Sequence, residues 1–246
     1  MKLSVNLNKV ALLRNARGEN YPDLKYFANK AVDLGVDGLT LHPRPDHRHA
    51  TSNDVIELSQ LAKERGVEFN IEGNPFSKPN NEFKGFCELV EMIAPDQITL
   101  VPDTINQITS DHGWMSGSHD EDLKTVIRLL KKKSNNAKIS LFIDDINGVN
   151  YAAEMYADLI EIHTGKFSNK IAEGDLSITD ELKKIIECAT NKDLLINAGH
   201  DLSLKNIRFF RDNISELAEV SIGHALICDS IYLGLDNSFQ MYKRLL

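Results

Sequence analysis

The 246-residue chain is poor in cysteine, with Cys87, Cys188 and Cys228 widely spaced and each inside a helical pattern. That spacing offers no disulfide framework and is read as three reduced, buried thiols. No apolar stretch approaches the ~20 residues needed to span a bilayer, and Met1 to Leu13 carries no cleavable signal pattern. No membrane partner and a cytoplasmic location are therefore expected. Basic charge is also scarce: the net charge of −8 argues against general affinity for nucleic acid, which needs a concentrated basic face. The run Lys131-Lys132-Lys133 closes a helical pattern, where cations complement the carbonyl end of the dipole. Linkers and low-complexity tracts are missing as well, so residues 1–246 read as one domain.

What is present is a repeated arrangement of ionisable residues placed just past short apolar runs. Leu39-Thr40-Leu41 leads into His42-Pro43-Arg44, Phe69-Asn70-Ile71 into Glu72, and Leu159-Ile160 into Glu161-Ile162-His163. Leu194-Leu195-Ile196 leads into Asn197-Ala198-Gly199-His200, and Val220-Ser221-Ile222 into Gly223-His224. Short apolar runs alternating with helical patterns describe parallel strands buried on both faces. Strands are expected at 3–6, 38–41, 68–71, 97–100, 138–143, 159–162, 194–197 and 219–222. Helices are expected after Pro22, then at 53–65, 83–93, 121–133, 149–156, 178–191 and 204–212, and from Ala225 onward with a break near Gly234. Eight β–α units in a chain of this length predict an α/β fold, a single (β/α)₈ TIM barrel, whose active site lies where the strands end. The chain is expected to be an enzyme.

Several of these stretches together carry a family resemblance. They are Val5-Asn6-Leu7-Asn8 with Leu13-Arg14-Asn15-Ala16-Arg17-Gly18, His42-Pro43-Arg44 with Asp46-His47-Arg48-His49, and Ser140-Leu141-Phe142-Ile143-Asp144. Ile160-Glu161-Ile162-His163-Thr164-Gly165, Asn197-Ala198-Gly199-His200 and Ile222-Gly223-His224-Ala225 complete the set. In this order they resemble pyridoxine 5′-phosphate synthase over almost the whole chain. The resemblance implies a (β/α)₈ barrel that condenses 1-deoxy-D-xylulose 5-phosphate with 3-amino-2-oxopropyl phosphate. The products are pyridoxine 5′-phosphate, phosphate and water, with no cofactor and no metal, and the assembly implied is a homo-oligomer, an octamer in the family.

Closing a pyridine ring from an amino ketone and a keto sugar needs imine formation, dehydrations and an aldol-type step, each moving protons. Positioned acids and bases contribute roughly 10²–10⁴ in rate each. The resemblance implies His42 and Glu72 as proton acceptors, His200 as proton donor and Glu161 as the stabiliser of the transition state. An imidazole such as His42 titrates near neutrality, and the apolar neighbours Phe69 and Ile71 are expected to raise the Glu72 carboxyl. Gly199 and Gly223 fall in the loops that commonly cradle a phosphate in this fold. By resemblance, Asn6, Arg17, Gly223 and His224 hold the aminoketone phosphate, and Arg44, His49 and Thr109 hold the deoxyxylulose phosphate. The forked guanidinium of Arg44 suits that anion.

Three substrate-binding positions depart from the commonest family pattern. Asn8-Lys9 stands where many members have Asp-His, and Asp201 where many have Gly. Asn8 keeps an acceptor but cannot act as a base, and Lys9 adds charge beside a phosphorylated substrate. Asp201 repels a phosphate unless its side chain turns away and only its backbone N–H is used. Rival readings are a metal-dependent sugar-phosphate epimerase or hydrolase, suggested by His47 and His49, and a non-catalytic sugar-phosphate-binding homologue, suggested by the departures themselves. A Schiff-base aldolase is disfavoured because Lys9 and Lys166 lie in loops. Residues 102–120 form a connection far longer than the 2–6 residues usual there. With Gly113, Ser116, Gly117 and Ser118 they read as a mobile lid carrying Thr109, whose closure the sole tryptophan, Trp114, is expected to report.

Overall fold

The computed structural model describes residues 1–117, 119–214 and 216–246, so Ser118 of the expected lid lies outside the described residues. Eight parallel strands close into one barrel in chain order, each paired with the next and the last with the first. They are β1 (Lys2–Asn6), β2 (Gly38–Leu41), β3 (Glu68–Gly73), β4 (Gln97–Leu100), β5 (Lys138–Ile143), β6 (Leu159–His163), β7 (Leu195–Gly199) and β8 (Leu217–Ile222). The helices are α1 (Asn8–Asn15), α2 (Leu24–Asp33), α3 (Ser52–Arg65), α4 (Phe86–Ile93), α5 (Asp120–Lys133), α6 (Ile146–Glu154), α7 (Gly165–Ala172), α8 (Ile178–Thr190), α9 (Ile207–Asn213), α10 (His224–Leu233) and α11 (Leu235–Leu245). Among the described residues no helix is long and apolar enough to cross a membrane.

Helix boundaries follow local chemistry. Helix α3 opens with a capping box, in which the Thr51 side chain accepts the Asp54 N–H while Asp54 accepts the Thr51 N–H, and Gly66 closes it in the left-handed conformation. Two helices carry no such signal and lie outside the expected set. Helix α1 follows Leu7 and α7 follows Thr164, neither with a side-chain cap. The helix expected after Pro22 begins at Leu24, because the Asp23 side chain accepts the Tyr26 N–H and sets the cap there. The cysteines are free, as expected, but half-buried rather than fully enclosed.

The strands are not apolar on both sides. Leu39, Leu41, Ile71, Ile98, Leu100, Leu141, Ile160, Ile162, Val220 and Ile222 are buried with the helices in the main apolar core. Their strand neighbours alternate onto the other face. There Ser4 meets Thr40 at 2.8 Å, Asn70 donates to Thr99 at 3.1 Å, and Asn197 donates to Gln97 at 3.1 Å. The barrel interior is thus a hydrogen-bonded polar stack, where such barrels more often hold branched aliphatic side chains. One consequence corrects the sequence reading: Phe69 and Ile71 lie on the opposite strand face from Glu72 and do not supply its surroundings.

Candidate active site

A cavity of about 450 Å³ opens at the carboxyl ends of the strands. Its lining includes all four expected catalytic residues, His42, Glu72, Glu161 and His200, and also Asn6, Asn8, Lys9, Arg44, His49, Thr109, Asp201, Gly223 and His224. Arg17 is the exception. It lies exposed beyond the end of α1 and is not part of this wall, because the extra helix carries the chain outward before position 17.

His42 follows β2 directly and is held on three sides. Its backbone N–H donates to Asn8 Oδ1 at 3.0 Å, its Nε2 lies 2.9 Å from Asp103 Oδ2, and its Nδ1 is 3.7 Å from Glu72 Oε2. Asp103 also pairs with Arg44 at 2.8 Å. Burial alone would raise the Asp103 carboxyl, but His42 and Arg44 outweigh it and hold the group below the usual range. A base oriented by a fixed carboxylate is the arrangement that general-base catalysis uses. Asp103 escaped the sequence reading. Its position two residues beyond Val101, just past β4, is the signal that could have found it.

Glu72 and Glu161 are buried in the same cavity floor. Asn6 Nδ2 donates to Glu72 Oε2 at 3.2 Å, and Thr99 Oγ1 donates to Glu161 Oε2 at 3.4 Å. Burial, and then the charges of Glu161, Asp103 and Glu219, push Glu72 well above the carboxylate range. Burial likewise lifts Glu161 to about 7. The expected rise at Glu72 is therefore present with a different cause, burial among other acids rather than apolar neighbours in sequence. Gly199 lies within β7, and a Cβ there would overlap Glu161 Oε1, so this glycine makes room for a carboxylate.

His200 is strained, with φ of +93°, a region a β-carbon disfavours. Its Nε2 lies 2.7 Å from Thr109 Oγ1 and its Nδ1 lies 2.9 Å from Asp201 Oδ2. The Asp201 carboxylate therefore turns to the histidine, while its N–H donates to Thr164 Oγ1 at 3.3 Å. On the other rim, Arg44 is buried and donates to the carbonyls of Thr104 and Gln107, and Arg48 donates to those of Ile105, Gln107 and Ile108. Burial, followed by the neighbouring cations, brings His49 down to about 3, so it is a neutral imidazole, and its buried Nδ1 has no hydrogen-bond partner among the described residues. Gly223 caps α10, whose N-terminus faces the cavity.

The long connection after β4 thus lies across the mouth, gripped by Arg44 and Arg48 on one side and touching His200 on the other. Trp114 is not at its tip. Its indole N–H donates to the Leu100 carbonyl and its backbone N–H to that of Phe142, with 9% of its surface exposed. Ile108, 91% exposed, is the outlying residue. Trp114 is therefore an anchor and a poor reporter of movement at the tip.

The pyridoxal phosphate biosynthesis protein PdxJ family matches residues 3–246. The pyridoxine 5′-phosphate synthases of Cytophaga hutchinsonii and Flavobacterium johnsoniae are 43% and 45% identical to this chain, covering 99% of it and 98% of each relative. The chain belongs to the pyridoxine 5′-phosphate synthase family. Membership makes it an enzyme. Solved structures that resemble it in fold alone include 3-hexulose-6-phosphate synthase from Salmonella typhimurium, at TM-score 0.62 and 16% identity over 100% of this chain and 98% of that one. Another is thiamine phosphate pyrophosphorylase from Pyrococcus furiosus, at TM-score 0.60 and 12% identity over 99% and 94%. Asn8 and Asp201, two of the positions expected to depart from the common family pattern, have defined partners, His42 and His200 respectively.

Proposed function

We propose that the chain condenses 1-deoxy-D-xylulose 5-phosphate with 3-amino-2-oxopropyl phosphate to give pyridoxine 5′-phosphate, phosphate and water. The chemistry is acid–base catalysis by its own side chains. The observation that carries this reading is the convergence of His42, Glu72, Glu161 and His200, from the ends of four strands, on one cavity with cations at its rim. Ring closure needs a base at one moment and an acid at the next. Two buried carboxyls raised toward neutrality serve both needs, since a proton held by one can be passed to substrate and recovered. His42 abstracts protons with Asp103 fixing its ring, while His200 donates from the opposite side. An ionised Glu161 then opposes the positive charge of an iminium.

Two anion sites suit the two phosphates. Arg44 and the neutral, unpartnered His49, with Thr109, receive the deoxyxylulose phosphate. The N-terminus of α10 at Gly223, with His224 and Asn6, receives the aminoketone phosphate, and Lys9 adds charge between them. Arg17 joins this second site only by a movement of the segment after α1. The 102–120 connection acts as a lid, because Arg44 cannot bond the loop carbonyls and a phosphate with the same donors; closure excludes water from the imines. Exposed Ile231 and Tyr232 on α10 supply apolar surface for the homo-oligomer. Incubating the purified chain with both substrates, with phosphate release and pyridine absorbance followed together, tests the assignment.

A further inference from the structure

Beside the cavity, His163, His200 and Asp201 each bring one possible ligand atom to within 4.8 Å of the others. Of these, His163 has no place in the reaction proposed above. Its ring is nonetheless firmly set. Nδ1 pairs with Asp144 Oδ1 at 2.8 Å, Asp144 Oδ2 accepts the Gly113 N–H at 2.6 Å, and the ring meets that of His200 edge-on at 4.9 Å. Burial would raise the Asp144 carboxyl, but these bonds outweigh it and keep it ionised. A carboxylate on Nδ1 is the second-sphere device that fixes metal-ligating imidazoles and presents Nε2.

The presented atom has company. A Cβ on Gly165 would lie 2.8 Å from His163 Nε2 and 2.9 Å from Asp201 Oδ2, so both atoms converge on the space that this glycine leaves free. Asp201 Oδ2 is in turn 2.9 Å from His200 Nδ1. We propose that His163 Nε2, His200 Nδ1 and Asp201 Oδ2 form a binding site for one divalent transition metal ion of the zinc type, distinct from the two phosphate sites. Two imidazoles and a carboxylate with an open fourth position suit zinc, whose ligand atoms stand about 3.3 Å apart in a tetrahedron. Small side-chain rotations bring the present spacings, 2.9 Å for the His200–Asp201 pair and no more than 4.8 Å for the others, to that value. On binding, the ion replaces the proton at His200 Nδ1, and the proton donor loses the ability to become an imidazolium. The site is an inhibitory one, in which Asp201, a departure from the common family glycine, supplies the third ligand.

Co²⁺ titration of the metal-free chain in phosphate-free buffer, followed by visible absorption and then displacement with Zn²⁺, tests this without reference to turnover. One Co²⁺ per chain is expected, with affinity reduced at least about tenfold in His163→Asn and in Asp201→Gly, and by roughly 10–100-fold in Asp144→Asn, which touches no metal. Gly165→Ala, which fills the convergence point, abolishes binding. Asp201→Gly at an exposed position keeps the test open should His163→Asn not fold. Absence of 1:1 binding by the unaltered chain, or affinity unchanged in both Asp201→Gly and Asp144→Asn, overturns the proposal whether or not the chain proves to be a synthase.

Discussion

At the mouth of the barrel Glu72 and Glu161 are both buried, and at the opposite end Glu219, in β8, is buried too. Its carboxyl is lifted to about 8 by burial and then by Glu68 and Glu161. By perturbation alone the two ends are alike. They differ in what surrounds the acids. At the amino ends, Asp37, Asp96 and Asp158 each accept the amide of the second residue of a neighbouring strand, from Leu3, Phe69 and Ile139, all at 2.9 Å. Lys2 is spent on Glu68. A groove of about 560 Å³ lies there, but its carboxylates are engaged, Asp37 and Asp96 by backbone amides and Glu68 by Lys2. At the mouth the acids face histidines and a cavity with arginine and lysine on its walls. A shifted carboxyl marks a site only where its proton has somewhere to go.

The sharpest way to break this comparison is to neutralise one acid at each end. Glu72→Gln, and likewise His42→Asn, is expected to lower turnover by at least roughly 10²-fold with the fold retained by circular dichroism. Glu219→Gln should leave turnover within a few-fold. Equal losses at both ends would mean that the interior stack works as one catalytic unit. Next in size, Asp103→Asn and Gly199→Ala are each expected to cost up to about 10²-fold in steady-state turnover. The first frees the His42 ring, and the second displaces the Glu161 carboxylate.

Much of this arrangement was legible in the sequence because strand alternation and strand ends are local signals. Glu72, Glu161 and His42 needed only an apolar run and its last residue to be found. Helices α1 and α7 were not legible, since each is only eight residues long and starts two residues after a strand ends, and α7 begins on Gly165. Asp103, Asp144 and His163 were in view as residues, but their work lies in pairings that the closed barrel creates. His163 meets Asp144 across nineteen positions, and His42 meets Asp103 across most of two β–α units. Arg17 lies off the cavity wall for the same reason in reverse, since the unannounced α1 separates it from the end of β1.

A smaller effect separates the two anion sites. Arg44→Ala should weaken deoxyxylulose phosphate by roughly 1.5–3 kcal/mol in calorimetric titration and leave the aminoketone phosphate nearly unchanged. Equal weakening of both would merge the two sites into one.

The smallest effect concerns stability and pH. Glu72, Glu161 and Glu219 have folded-state values raised above the ordinary one, so the stability they confer is present in full below about pH 4.5 and is lost as pH rises through each raised value, about 7 for Glu161 and about 8 for Glu219. Denaturant melts should show stability falling between pH 5 and 8. Glu219→Gln should remove its part of that fall. A pH-independent curve in the unaltered chain would show that these carboxyls are not buried as described.

The central claim, that the mouth of this barrel builds a pyridine ring, is tested most directly by mixing the purified chain with 1-deoxy-D-xylulose 5-phosphate and 3-amino-2-oxopropyl phosphate. The account predicts that pyridoxine 5′-phosphate and free phosphate appear together in equal amounts, and that Glu72→Gln abolishes both while still binding the two substrates. Tight binding of both substrates by the unaltered chain with neither product formed would contradict it.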